Sequence, residues 1–571
     1  MATDPLAIFK ERACALFHDA LAGMGSEAKA VPEVPPEGMG DFAFPCFLLA
    51  KELRRPPADI AASISGAIPQ DSHFSRTEAK GPYVNFHIDP AQLMSAALSA
   101  VLEKREDYGN AEPTGRKLLV EHTSANPNGP LHVGRARNPI IGDTLARILS
   151  RCGNTVVTEF YVDDMGKQQV TLTWGVENLK RAGEAPHKPD HSLVWYYQEA
   201  SRLMAEDPKV LAQIDAMIAL YEKKDPAIAE RVRKNCQIVL DGMTASLRRM
   251  DINFDSFAWE SRYIFDGTVD RVLDELRALK CTAEEEGALY LNLEEFGITG
   301  QESKFYLTRG DGSSLYSTRD MAYHLDKLSR YDRAIDVLGE DHRLKARVVG
   351  IGVKLLGEEK PIEPIFYSFV SLPEGKMSTR RGTVVYLDDL IEESVARARD
   401  EVEKRRPELS EELKRGIAEA VGTGAIRYNI IRVQAEKQMV FKWEDALNFE
   451  GNSAPFVQYS HARASSILRK ATAYESYDPC LLTHPSEIAL AKGLARFPSV
   501  IRECGVSMSC HLLAQYAFEI ASLFNQFYRD CPVLVAADEN LKNARLALVT
   551  ASKFVMLNAL DTLGIMAPEE L

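Results

Sequence analysis

Residues Glu121-His-Thr-Ser-Ala-Asn-Pro-Asn-Gly-Pro-Leu-His-Val-Gly-Arg135 stand where a strand should end and a helix should begin. Ahead of them runs the apolar Lys117-Leu-Leu-Val-Glu-His122. Behind them Ile140, Ile141, Leu145, Ile148 and Leu149 fall on a helical period, with Gly153 placed as the stop. Thr155-Val-Val-Thr-Glu-Phe-Tyr-Val162 then reads as a second strand. Strand, turn, helix, strand is a βαβ unit, and its turn is a natural phosphate site. Gly129 and Gly134 lack side chains, which lets a nucleotide approach the backbone. His132, the Gly134 N–H and Arg135 can all donate to phosphate oxygens from the first turn of that helix.

A second segment, Gly375-Lys-Met-Ser-Thr-Arg-Arg-Gly-Thr-Val-Val385, follows the strand-like Pro364-Ile-Phe-Tyr-Ser-Phe-Val370. It is a basic loop with hydroxyls. A His-x-Gly turn opening the first βαβ unit, together with a Lys-Met-Ser loop closing a later strand, resembles the paired motifs of class I aminoacyl-tRNA synthetases. The text around both motifs is similar to the arginyl-tRNA synthetase family. Supporting segments run from Gly40-Asp-Phe-Ala43 to Leu563-Gly-Ile-Met-Ala-Pro-Glu-Glu570. Two positions depart from the family pattern: Arg135 stands where the first motif ends in His, and Thr379 where a second Lys follows Lys-Met-Ser.

A chain of 571 residues implies several domains. Its composition, 45% hydrophobic and 26% charged, is that of an ordinary globular protein without a bilayer-spanning run. Met1-Ala-Thr-Asp4 leads directly into a helix, with Asp4 as N-cap and Pro5 at the first position. Nine scattered cysteines, with no Cys-x-x-Cys, point to a reducing cytoplasm and away from structural zinc. The net charge of −14 speaks mildly against nucleic acid, but phosphate contacts depend on local patches. Candidate patches are Lys51 to Arg55, Lys376 to Arg381 and Lys404 to Arg406.

The expected fold class is α/β: a Rossmann-like parallel-sheet catalytic domain, an N-terminal α+β domain and a C-terminal all-helical bundle. Residues 1–110 form the first domain, which the resemblance makes a tRNA-elbow binder. Residues 111–395 form the catalytic domain, with a helical insertion at about 171–281. Its second half resumes with Ala288-Leu-Tyr-Leu-Asn292, Phe305-Tyr-Leu-Thr308 and Leu315-Tyr-Ser-Thr-Arg-Asp320. Residues 396–450 are a helical connection, and 451–571 resemble the family's anticodon-binding domain, opening at Asn452-Ser-Ala-Pro-Phe-Val-Gln-Tyr-Ser-His-Ala-Arg463.

The reaction implied by the resemblance joins L-arginine to tRNA(Arg) through an adenylate made from ATP, with Mg2+ arriving on the nucleotide. The attacking carboxylate is already ionised, so catalysis reduces to positioning and electrostatic stabilisation of the phosphoryl oxygens. The catalytic set is His132, Arg135 and Lys376. The ATP set adds Gly134, Met377, Ser378 and Arg380. A guanidinium stays protonated and offers a rigid fork of donors, so selecting arginine requires carboxylates. The arginine set is Glu121, Asn126, Tyr316, Asp320 and Asp341, with the three acids expected at strand ends of one sheet. Asp164-Met-Gly-Lys-Gln168 is placed at the site's rim, with a simple Asp-capped turn as the alternative. The rivals are another class I synthetase, glutamyl foremost, and a silent tRNA-binding paralogue. Carboxylates in the pocket argue against the first, and retention of Lys376, Glu121, Asn126 and Tyr316 against the second. A monomer is expected, and the family resemblance implies that tRNA must bind before arginine is activated.

Overall fold

The computed structural model describes residues 4–36, 38–182, 188–371, 385–472, 476–536 and 538–571. The chain opens on α1 (Pro5–Ala22), which Asp4 caps by accepting from Leu6 N at 3.0 Å and Ala7 N at 3.3 Å. Next come β1 (Phe42–Pro45), α2 (Leu49–Leu53), α3 (Pro57–Ala67), β2 (Phe74–Lys80), β3 (Tyr83–Ile88) and α4 (Pro90–Lys104). The strands form an antiparallel sheet in the order β1-β3-β2. Phe17 stacks on Phe44 at 4.3 Å in its core. β2 escapes a sequence reading because it is largely exposed and polar and lacks apolar alternation.

The catalytic sheet begins with β4 (Lys117–Glu121), α5 (Arg137–Arg151) and β5 (Thr155–Val162). Gly153 takes the left-handed φ of +85° that ends α5. Four helices follow: α6 (Lys167–Asn178), α7 (Pro189–Glu206), α8 (Pro208–Glu222) and α9 (Pro226–Arg249). The chain then returns to the sheet as β6 (Ser256–Trp259), parallel to β5. This corrects the expected insertion of 171–281, whose interior contains a strand of the main sheet. Four residues on a sheet edge carry too little periodicity to announce themselves.

After α10 (Glu260–Phe265) and α11 (Thr268–Arg277), β7 (Thr282–Glu285), β8 (Ala288–Asn292) and β9 (Lys304–Tyr306) form a separate antiparallel sheet. They do not resume the parallel sheet as their apolar runs suggested. Then come α12 (Tyr316–Arg330), β10 (Arg333–Gly339), α13 (Arg343–Leu355) and β11 (Ile362–Tyr367). The parallel sheet has the order β11-β10-β4-β5-β6. From β4 the chain winds one way to β5 and β6, then crosses back to β10 and β11. The switch point therefore lies between β4 and β10, where doubly wound sheets hold ligands.

A short pair, β12 (Val370–Ser371) with β13 (Met439–Val440), ties the end of this domain to the helices that follow. Those helices are α14 (Leu387–Arg405), α15 (Glu411–Ile431), α16 (Trp443–Ala446), α17 (Ala454–Lys470), α18 (Pro485–Ala495), α19 (Phe497–Ser507), α20 (Cys510–Asp530) and α21 (Glu539–Thr562). The expected boundary at 395/396 thus falls inside α14. Arg427, fully buried, bonds the Met250 and Leu563 carbonyls and the Asp143 carboxylate, joining α15 to α5 and to the C-terminal segment. No helix of the described residues is long and apolar enough to cross a membrane.

Candidate active site

At the switch point Glu121, the last residue of β4, lies in register with Asp336 of β10. Two adjacent buried carboxylates would repel, and a cation sits between them. Lys327 Nζ, with no exposed side-chain surface, lies 2.5 Å from Glu121 Oε2 and 2.6 Å from Asp336 Oδ1. Burial opposes its charge, but Asp336 and Glu121 more than offset that and hold the ammonium protonated. Burial pushes the Glu121 carboxyl up against the pull of Lys327. His324 closes the network, with Nε2 2.8 Å from Asp336 Oδ2 and Nδ1 2.7 Å from the Asp320 carbonyl. Burial and Lys327 oppose charge on this ring, yet Asp336 and Asp320 raise its pKa. Both ring nitrogens face acceptors, which only the imidazolium satisfies.

Tyr316, Asp320, His324 and Lys327 occupy one face of α12 at helical spacing. Asp320 is therefore on a helix and not at a strand end, as the sequence had suggested. It still reaches the switch point, because α12 leads into β10. Lys345 of α13 lies 2.7 Å from Asp320 Oδ2 and 4.6 Å from the centre of the Tyr316 ring. Burial opposes the Asp320 charge, but Lys345 and then His324 hold its carboxyl below the ordinary value. A cavity of about 70 Å³ opens here among Glu121, Asp320, His324, Asp336, His342 and Lys345. Asn126, Tyr316 and Asp341 do not line it, and Tyr316 is largely exposed. The Asp341 side chain is 57% exposed, 3.7 Å from His342 Nε2.

The turn after β4 is strained. Thr123 has φ +73° and Ser124 +40°, the former a rare conformation for a β-branched residue. Asn138 holds it, accepting from Thr123 N at 2.6 Å and donating to the Val337 carbonyl at 2.9 Å. Ser124 Oγ donates to Glu121 Oε1 at 2.7 Å. Gly142 of α5 packs against His122, whose Cβ an added Cβ would meet at 2.3 Å and whose ring at 2.4 Å.

Further along, His132 Nδ1 accepts from Gly134 N at 3.0 Å. That N–H is thus engaged, which amends its expected role as a phosphate donor. The same bond fixes the neutral tautomer, leaving the proton on Nε2 to donate outward. Burial, and then Arg135, draws the His132 pKa below its ordinary value. Arg135 is exposed at the same turn. Gly129 faces α7, since a Cβ there would meet Val194 at 2.7 Å; the expected nucleotide approach at that glycine is not what its neighbours support.

Gln168 Oε1 accepts from Asn126 Nδ2 at 3.2 Å and Asn128 Nδ2 at 2.9 Å, which ties the start of α6 to the turn after β4. Asp164 has the structural alternative: fully buried, it accepts from Ser261 N at 2.8 Å and Ser261 Oγ at 2.6 Å. Lys376, Met377, Ser378 and Arg380 lie outside the described residues. Their downstream neighbours are held to the first motif. Val133 N donates to the Val385 carbonyl at 3.0 Å, and Leu387 N to the Leu131 carbonyl at 2.8 Å.

Three kinds of comparison meet this geometry. The profile of "tRNA synthetases class I (R), catalytic domain" matches residues 97–443. The profile of the arginyl tRNA synthetase N-terminal domain matches 13–88, and that of the DALR anticodon-binding domain 457–571. The chain belongs to the class I arginyl-tRNA synthetase family. As a member it is an arginine–tRNA ligase, which uses ATP to charge tRNA with arginine. A relative named arginine–tRNA ligase from Methanocella arvoryzae is 47% identical over 92% of each chain. Another of that name, from Methanococcoides burtonii, is 40% identical over 99% of each. Among solved structures, the arginyl-tRNA synthetase of Thermus thermophilus superposes with a TM-score of 0.79 at 28% identity, covering 98% of this chain and 100% of its own. The Plasmodium falciparum enzyme shares the fold, with a TM-score of 0.80 at 18% identity over 99% of each chain.

Lys327, Lys345, His324 and Asp336 were not read from the sequence as parts of the site. One signal was available for two of them. Four polar residues at helical spacing, Tyr316, Asp320, His324 and Lys327, lie on one stripe of α12, where a helix beside a sheet normally carries apolar side chains.

Proposed function

We propose that the cavity between β4, β10 and α12 is the arginine subsite. Its carrying observation is the pair of carboxylates that line it at the switch point, buried Glu121 and half-buried Asp320. Asp320 receives the guanidinium and Tyr316 covers its face, while Glu121 stays fixed by Lys327 and Ser124. Asn126, at the rim with Gln168, meets the substrate's amino group, and Asp341 contributes from outside the cavity. Carboxylates at the cavity favour a cationic side chain over that of glutamate.

ATP lies over the turn that opens α5. His132 Nε2–H and Arg135 donate to its phosphate oxygens from one side, and Lys376, Met377, Ser378 and Arg380 act from the other. Gly134 contributes through close backbone approach. Magnesium, carried in with ATP, supplies further charge neutralisation. Among the described residues the one group of three potential metal ligands, Asp190, His191 and Asp388, is set against Lys188, whose ammonium lies 3.0 Å from Asp190 and 2.7 Å from Asp388. That cation already satisfies the carboxylates. Arginine's carboxylate attacks the α-phosphorus, pyrophosphate leaves, and a ribose hydroxyl of the tRNA end then takes the aminoacyl group.

Residues 1–110 receive the tRNA elbow and 451–571 the anticodon. Supporting the latter is a cavity of about 550 Å³ between the helices of the C-terminal half, lined by Arg405, Arg463, Arg529, Phe449, Tyr459 and Phe518. Cations interleaved with aromatic rings suit a nucleobase and its phosphate. The enzyme acts as a monomer in the cytoplasm. The test is charging of total tRNA with each amino acid in turn: arginine alone should be accepted, and stable acceptance of any other instead of arginine would overturn the reading.

A further inference from the structure

Two lysines approach the proposed arginine subsite, and they differ in kind. Lys327 is sealed in, with two carboxylate partners and no exposed side-chain surface. Lys345 has Asp320 as its carboxylate partner, and its side chain is 27% exposed. Its ammonium contacts Asp320 at 2.7 Å and lies 4.6 Å from the Tyr316 ring centre. These are the two groups assigned above to the substrate's guanidinium. The remaining cavity of about 70 Å³ is far below the few hundred Å³ usual for ligand pockets.

We propose that Lys345 is the resident occupant of the arginine subsite: its ammonium holds the guanidinium's place in the free enzyme, and any ligand that reaches Asp320 must displace it. The inference rests on the pocket reading above. A fork-to-fork guanidinium pair needs both oxygens of Asp320, and Lys345 engages Oδ2. The ammonium makes a single-point contact on a flexible four-carbon stem, so it can yield to the planar fork and swing to solvent. Between turnovers it keeps a half-buried carboxylate charged and paired.

A tethered competitor acts through its effective concentration. It therefore weakens every displacing ligand by the same factor and leaves the preference for arginine over lysine unchanged. This common factor distinguishes displacement from a structural role. Lys345→Met, in the full chain with tRNA present, should lower the Michaelis constant for arginine about tenfold. The inhibition constants of agmatine and L-lysine should fall by the same factor. The constants for ATP and for L-norvaline, whose side chain stops short of Asp320, should stay put. Lys345→Arg, a stronger internal competitor, should shift the first three constants upward.

An unchanged or raised Michaelis constant for arginine in Lys345→Met would overturn the proposal, as would a norvaline constant that moved with the others. Asp320→Asn separates this failure from failure of the pocket itself. If it weakens arginine selectively while Lys345→Met is silent, only the displacement idea falls. If it affects arginine and ATP alike, both readings fall.

Discussion

His132 and Tyr386 face each other across a backbone bridge, flanked by Val133 N–H donating to Val385 at 3.0 Å and Leu387 N–H to Leu131 at 2.8 Å. The turn that opens α5 and the residues leading out of the Lys-Met-Ser segment are thus one structural piece. Tyr386 also starts α14, so the same piece continues into the C-terminal helices. The helices proposed to receive tRNA are in this way connected to the turn proposed to hold the phosphates. ATP–pyrophosphate exchange with arginine should be near background without tRNA and appear when tRNA is added. Full exchange by the intact protein alone would contradict that coupling.

Lys327 separates two carboxylates in adjacent strands. Lys327→Met leaves Glu121 and Asp336 buried without their cation, which should destabilise the fold by about 3–5 kcal/mol. Adding Asp336→Asn should recover part of the loss. Denaturant unfolding measures both, and a single variant within about 1 kcal/mol of the parent would show that the network is dispensable.

Arg135 occupies the last position of the first motif. If it donates to phosphate, Arg135→Ala should lose about 10²–10³ in turnover, the usual effect of removing one donor to developing charge. Arg135→His should remain active, because histidine also donates. An alanine variant with parental turnover would reduce Arg135 to a surface residue.

His122 is buried under the strained turn, and its Nε2 has no hydrogen-bond partner among the described residues. Burial draws its pKa from 6.5 down to about 4. A depressed histidine contributes stability in full above its unfolded pKa and loses it as pH falls through the folded value. Relative to His122→Asn, the protein should therefore lose about 3 kcal/mol between pH 7.5 and pH 4. Unfolding curves of the two proteins that stay parallel across this range would refute the assignment.

Local patterns made part of this architecture readable. β4, the turn, α5 and β5 form a contiguous unit in which a helical period of apolar residues follows an apolar strand. Asp4, Pro5 and Gly153 punctuate helices by mechanisms that act within a few residues. What escaped depends on partners distant in sequence. β6 is defined by pairing with β5 across four helices, and β8 and β9 by pairing with each other. Asp320 is expected at a strand end, yet it lies on α12, whose His324 and Lys327 are buried beside Glu121 and Asp336. Lys327 and Lys345 become part of the site through carboxylates 206 residues and 25 residues away in sequence, respectively (327 − 121 and 345 − 320).

The central claim is that Asp320 reads the guanidinium, and steady-state charging kinetics of Asp320→Asn test it most directly. The loss of a charged partner from a desolvated cation typically costs about 2–5 kcal/mol, offset here by release of Lys345. The Michaelis constant for arginine should rise about ten- to hundredfold while that for ATP changes little. Equal shifts in the two constants would place Asp320 outside the arginine pocket and contradict the account.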